Sequence, residues 1–172
     1  TSIDLNYRAK LWSEEEARKT MSSLMEYCNI LITTEEDTYK VFGIKENDYR
    51  QVAERLHKKF NFEVVVITLR ENITVWKNDW TAIAYAAGKF YDDVIYKLEI
   101  VDRVGGGDAF TGGFLYAYLT FKGDVKKSLQ HGNASCALKH SIPGDLNWST
   151  LEEVEGLIKR GAGGGMRLRI RR

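Results

Sequence analysis

The sequence predicts a three-layer α/β fold on a mostly parallel sheet. Capped helical segments alternate along the chain with short apolar strands, the pattern that lays helices over a parallel sheet. The run from Glu63 to Leu69 (EVVVITL) is β-branched and apolar, as suits a strand covered on both faces. At 172 residues the chain has room for one substantial core and is too short to assume two domains.

Thr1 to Tyr7 alternates apolar with polar residues and reads as a strand already under way, with no initiating Met. Ser13 followed by Glu14, Glu15 and Glu16 is a capping box that predicts a helix to about Tyr27. Ile30 to Ile32 is a short buried strand, and Thr34 caps a helix that Gly43 stops. From about Asn47 to Phe60 the spacing predicts an amphipathic helix with Val52, Leu56 and Phe60 on one face. Ile73–Trp76 and Thr81–Ala86 alternate and predict a small antiparallel section, while Val94 to Val101 fits strand or loop. Ala109 to Phe121 is apolar nearly all round and predicts a buried helix. Asp124 caps the next helix, to about His140, before the Pro143–Gly144 break. Ser149–Glu152 is a second capping box that starts a helix to about Lys159. Residues 161–165 read as a flexible glycine linker, so residues 1–160 form the domain and 161–172 a linker and basic tail. Arg167, Arg169, Arg171 and Arg172 fit a solvated tail or a final edge strand.

Composition excludes several classes. The formal charge of +1 gives no global reason to bind nucleic acid or a membrane surface, and no apolar stretch is long enough to span a bilayer. Cys28 and Cys136 lie outside any C-x-x-C motif, which fits buried reduced thiols in a cytoplasmic protein. His57, His131 and His140 lack metal-ligand spacing and read as helix-surface residues.

The chemistry concentrates in Val101-Asp102-Arg103-Val104-Gly105-Gly106-Gly107-Asp108-Ala109-Phe110, which opens the apolar helix. Consecutive glycines uncover backbone N–H groups, and the helix points its positive end at the same spot. A phosphate drawn there meets Asp108, a natural neighbour if that carboxylate takes a proton from an attacking hydroxyl. A glycine turn with a helix-capping Asp is the plain alternative. No Lys-Ser/Thr pair follows the glycines as a P-loop requires. Phe110 stands where the third glycine of a dinucleotide fingerprint belongs, and Gly123 and Asp124, where its ribose partner would fall, read as a turn and a helix cap.

With Asp102 and Asp108-Ala109-Phe110 included, this stretch resembles the signature of the ribokinase-like (PfkB-type) carbohydrate kinases, Asp-Thr-x-Gly-Ala-Gly-Asp-x-Phe. Arg103 and Gly106 depart from it, in a form similar to the variant of 2-keto-3-deoxygluconate kinases. Asp4-Leu5-Asn6-Tyr7-Arg8-Ala9-Lys10-Leu11-Trp12 and Ile142-Pro143-Gly144-Asp145-Leu146-Asn147-Trp148 also resemble segments of that group. The resemblance covers the C-terminal half of the family's fold, without its first strands, its β-lid and its Gly-Gly-Asp sugar motif.

The resemblance implies ATP-dependent phosphorylation of a sugar acid hydroxyl, with Mg²⁺ bridging the nucleotide phosphates. It makes Asp108 the catalytic base and Gly105, Gly106 and Gly107 the anion hole. Thr68, Arg70 and Asn133 match nucleotide contacts. Arg8 matches the arginine that meets the acid's carboxylate, and Asn6 and Asp145 match further substrate contacts. Arg103 either pairs with Asp102 or Glu99 or touches ATP or substrate. Thr34 stands where the family has an asparagine that helps organise Mg²⁺. No direct metal ligand is implied, and Glu35 and Glu36 could act through water. Two other readings stand beside this one: a ribokinase-type kinase for another sugar, and a non-catalytic nucleotide-binding fragment or subunit. On its own the chain is expected to be inactive or nearly so, and its exposed sheet edge would invite pairing with another chain or a homo-oligomer.

Overall fold

A computed structural model of the chain describes residues 1–161, apart from the side chain of Asn72. Among them the order is β1 (Ser2–Asp4), α1 (Glu14–Met25), β2 (Ile30–Thr33), α2 (Glu35–Phe42), α3 (Tyr49–Phe60), β3 (Val64–Thr74), β4 (Lys77–Ala86), β5 (Lys89–Asp92), β6 (Tyr96–Glu99), α4 (Gly106–Thr120), α5 (Val125–Lys139) and α6 (Leu151–Gly161). The fold is α/β, as expected. The strands run β1-β2-β3-β4-β5, with β6 paired to β4, in a mixed sheet. The chain divides into two compact units, Thr1–Thr68 with Ile83–Tyr91, and Leu69–Ala82 with the chain from Asp92 on.

In the first unit β1, β2 and β3 are parallel, with Ser2 opposite Ile30 and Ile30 opposite Val64. Helical crossovers between them bury both faces, so β2 and the first part of β3 carry a continuous apolar run rather than an alternation. Leu5, Met25, Val41, Leu56 and Phe62 complete this core. Its helices begin where the cap signals place them. Ser13 Oγ accepts from Glu16 N at 3.2 Å while Glu16 Oε2 accepts from Ser13 N at 3.0 Å. Thr34 caps α2 and Gly43 closes it. The cap of α3 is Asp48, and its buried face is Val52, Ala53 and Leu56, with Phe60 only half-buried. In the β4–β5 hairpin Ala87 and Gly88 both have positive φ, 49° and 74°, as a two-residue type I′ turn requires. Sequence reading missed β5 because Ala-Gly is a far weaker turn signal than Asn-Gly.

In the second unit β4 pairs antiparallel with β6, Trp80 lying opposite Tyr96. The expected strand at Ile73–Trp76 is not separate: β3 runs on to Thr74, and Val75 and Trp76 form the turn, 72% and 67% exposed. Two large apolar residues at a hairpin tip mimic a strand pattern. The alternation expected over Thr81–Ala86 also fails, because Ala82 to Ala86 are all buried.

α4 is apolar but not buried all round. Phe110, Phe114 and Ala117 form its buried face, whereas Leu119 is 79% exposed. That face lies against α5, where glycines remove the atoms that would hold the helices apart. A Cβ at Gly113 would lie 2.4 Å from Ser135 Oγ and 2.8 Å from His131 O, and one at Gly132 would lie 2.9 Å from Phe110 Cε2. Asp124 caps α5 by accepting from Lys127 N at 3.0 Å. Enclosed by α4, α6 and β6, α5 is buried on nearly every side. This corrects the surface assignment of His131 and His140, which are both buried. His57 is half-buried and gives its ring Nδ1 to the Phe62 carbonyl at 2.7 Å. Cys136 is buried and Cys28 only partly so, and both are free thiols. The box at α6 is Thr150 with Glu153, one residue later than expected. The helix includes Gly161, expected to open the linker, while 162–172 with the arginine tail lie outside the described residues.

Gly113→Val places three further carbons, the Cβ and two methyl groups, in the α4–α5 notch and is expected to destabilise the chain by about 1–3 kcal/mol, read as a lower urea midpoint. The same substitution at Gly112, whose Cβ would meet nothing within 4 Å, is the control.

Candidate active site

The strongest candidate is the glycine corner of the second unit. Its approach is fixed by His140, whose carbonyl accepts from Val101 N at 2.8 Å and Asp102 N at 3.3 Å. Asp102 then straps two loops together, Oδ1 accepting from Val104 N at 3.0 Å and Oδ2 from Gly144 N at 2.8 Å. Those two amides, Val104 first, hold its carboxyl below the usual 3.8, and the charge of Lys139 works in the same direction.

Gly105 is the N-cap of α4 at φ 75°, with no side chain capping the helix. Asp108 lies in the first turn of the helix and makes no capping hydrogen bond among the described residues. A Cβ at Gly105 would lie 2.0 Å from Asp145 O, and one at Gly106 2.8 Å from His140 Cε1, whereas one at Gly107 would meet nothing within 4 Å. Two of the glycines are thus required by packing, and the third opens outward. Gly106 N donates to Arg103 O at 3.3 Å. Gly107 and Asp108 follow in the first turn, where amides have no helical carbonyl behind them. The Asp108 side chain is exposed and, among the described residues, has no hydrogen-bond or ion-pair partner. An open helix N-terminus with a free carboxylate in its first turn can hold an anion and receive a proton.

His140 backs this corner. Its Nδ1 donates to the Cys136 carbonyl at 2.8 Å, which fixes the neutral tautomer, and its ring lies 6.0 Å from that of Trp80. Burial pushes its pKa below the usual 6.5, with the charges of Lys139, Arg103 and Arg70 adding to it and the Cys136 bond opposing. Trp80 Nε1 donates to Asn133 Oδ1 at 3.0 Å, and Asn133 Nδ2 donates to Asp93 Oδ2 at 2.9 Å. Asn133 is thus fully buried with both amide ends engaged. Arg103 donates to the carbonyls of Val75 at 2.9 Å and Thr74 at 3.4 Å, tying the corner to the β3–β4 turn. Asp145 and Arg70 are exposed.

In the first unit the parallel strands deliver a second set of residues beyond their carboxyl ends, where open α/β sheets usually bind ligands. Asn6 follows β1 at φ 25°, its N–H bonded to Asp4 Oδ1 at 3.2 Å. Arg8 is exposed, with Nη1 on the Tyr7 carbonyl at 3.3 Å. After β2, Thr34 Oγ1 accepts from Asp37 N at 3.0 Å and donates to Asp37 Oδ2 at 2.9 Å. Glu35 is exposed, Glu36 pairs with Lys40, and Thr68 Oγ1 donates to the Thr33 carbonyl at 3.4 Å. Among the described residues no group of three or more His, Cys, Asp or Glu side chains could hold a metal, and no helix is long and apolar enough to cross a membrane. Sequence reading missed Trp80, Lys139 and His140, because nothing local to a strand or helix reveals which side elements distant in sequence will cover.

The profile of the pfkB family carbohydrate kinases matches residues 1–150. The chain is 35% identical over 164 residues to 2-dehydro-3-deoxygalactonokinase of Haloferax volcanii, covering 95% of this chain and 48% of that protein. It is 30% identical over 166 residues to 5-dehydro-2-deoxygluconokinase of Halalkalibacterium halodurans, covering 92% and 46%. Among solved structures, 2-dehydro-3-deoxygluconokinase of Thermotoga maritima superposes with a TM-score of 0.88 at 42% identity, over 92% of this chain and 49% of that one. The chain spans about half the length of these relatives.

The neutral His140 has a signed consequence. The unfolded chain takes a proton near 6.5 and the folded one resists it, so this stability is complete above that pH and is lost as pH falls below it. Asp102, held below 3.8, contributes its own loss only at lower pH. Thermal unfolding followed from pH 8 to 5 is expected to show a steeper loss in the parent than in His140→Gln. Parallel curves would exclude the buried neutral imidazole.

Proposed function

The chain belongs to the pfkB family of carbohydrate kinases, and from that premise we propose that it supplies the ATP-handling corner and catalytic base of a sugar-acid kinase, with 2-keto-3-deoxygluconate as acceptor. The observation that carries this reading is the uncapped α4 N-terminus beside an exposed, unpartnered Asp108. The relatives named above, each a kinase whose name contains a dehydro-deoxy sugar acid, support the acceptor class.

In this reading the γ-phosphoryl group of ATP rests against the open first turn of α4. The acceptor hydroxyl oxygen attacks phosphorus, the bond to the ADP oxygen breaks, and Asp108 takes the hydroxyl proton. Such a base is worth roughly 10²–10⁴ in rate. Backbone donors aimed at the developing charge, Gly107 and Asp108 foremost, each add roughly 10²–10³. Mg²⁺ would neutralise the nucleotide phosphates. With no cluster of carboxylates among the described residues, the phosphates and water would supply most of its ligands, and Glu35 or Glu36 would act through water.

Arg8 is the proposed partner of the acid's carboxylate, because a planar guanidinium gives two parallel bonds. Asn6 and Asp145 are proposed for the remaining polar groups of the acid. Thr68 and Arg70 are proposed for the nucleotide. Asn133 has both amide ends occupied, which makes it the backing of a nucleotide pocket rather than its lining. Arg103, held by two turn carbonyls, shapes the corner. Nucleotide binding without transfer is the second reading, favoured by Thr34, whose hydroxyl is taken up in capping α2.

A coupled assay of ADP release with ATP, Mg²⁺ and 2-keto-3-deoxygluconate tests both readings. Asp108→Asn is expected to lower turnover at least ~100-fold while retaining nucleotide binding; turnover equal to the parent's would remove the assigned base. Arg8→Ala is expected to raise KM for the acid about tenfold or more, through loss of a charged hydrogen bond, with little change in KM for ATP. Nucleotide binding by the parent with no transfer to any sugar acid would select the second reading.

A further inference from the structure

Lys139 ends α5, and its side chain is fully buried. An ammonium group has three N–H donors, and removing it from water costs several kcal/mol unless partners compensate. Among the described residues Lys139 Nζ has one acceptor, the Ile142 carbonyl at 2.9 Å, and no ion pair. Ile142 N in turn donates to the Lys139 carbonyl at 2.9 Å, so the turn leaving α5 is locked twice. That turn leads directly into Gly144, whose amide is held by Asp102, and Asp145, whose carbonyl lies where a Cβ of Gly105 would be. The charge of Lys139 also acts on Asp102 and on the His140 ring against Gly106. These connections from one amino group lead to the same corner.

We propose that Lys139 is a positioning residue for phosphoryl transfer: its buried amino group holds the 140–145 loop and Asp102 in register, and so sets the open amides of the α4 N-terminus for the anion. The inference rests on the kinase reading for its catalytic part only. Apolar replacement of a buried charge is often neutral or stabilising, so a lysine that served stability alone would be replaceable without loss.

Lys139→Met keeps the length and flexibility of the side chain and removes the charge. The expected result has three parts. Melting is unchanged or raised. Amide hydrogen exchange at Gly106 and Gly144, whose N–H groups are bonded to Arg103 O and Asp102 Oδ2, accelerates at least about tenfold while β2 amides are unaffected, as local opening would give. Turnover falls at least about tenfold with KM for the sugar acid within about threefold, as for an interaction felt in the transition state. Unchanged exchange at those amides overturns the proposal, as does a lower melting temperature with unchanged turnover. If Lys139→Met does not fold, Asp102→Asn tests the strap from its other end and is expected to accelerate exchange at the same two glycines; parent-like rates there also overturn it. Exchange requires no activity, so it decides the role of Lys139 even if the parent transfers no phosphoryl group, an outcome that counts against the kinase reading instead.

Discussion

The structure of the second unit depends on one close approach, the contact of the 140–145 loop with the start of α4. Gly105 and Gly106 have no side chains because the Asp145 carbonyl and the His140 ring already occupy that space. The contact forces the left-handed turn at Gly105, and that turn leaves α4 without a side-chain cap. Most helices satisfy their first amides locally. Here α1, α2, α3 and α5 all do so with Ser13, Thr34, Asp48 and Asp124, which makes the bare end of α4 an exception imposed by tertiary packing.

Electrostatics around this corner follow from the same packing. Lys139, Arg103 and Arg70 bring positive charge to a buried neutral imidazole, while Asp102 accepts hydrogen bonds from backbone amides and feels the charge of Lys139 as well. Preorganised dipoles of this kind need no rearrangement when charge develops. The buried Trp80–Asn133–Asp93 chain stiffens the same region from the sheet side.

Much of this was legible in the residues themselves. Capping boxes, the Gly43 stop and the β-branched EVVVITL run are local signals, and each marks the element it predicts. The glycine run with Asp108 pointed to the corner because its composition departs from anything a simple turn requires. What stayed hidden was decided at a distance. His140 and Lys139 sit in a helix whose hydropathy shows no dominant face, and only α4, α6 and β6 together bury it. Val75 and Trp76 mimic a strand because their exposure at a hairpin tip runs against their chemistry. The shift from Ser149 to Thr150 at α6 is a choice between two adjacent caps, which residue type alone does not make.

The notch between α4 and α5 has an evolutionary corollary. Position 113 on one helix meets Ser135 on the other, and position 132 meets Phe110 in the reverse sense. A smaller side chain across from either glycine would not make room for a larger residue, because the backbone carbonyls of His131 and Phe110 stand 2.8 Å and 3.0 Å from where the two Cβ atoms would be, so both positions are held to glycine. Among descendants of this sequence both glycines would persist whatever drifts around them, and a chimera that brings a larger residue to either position would fail at that crossing first.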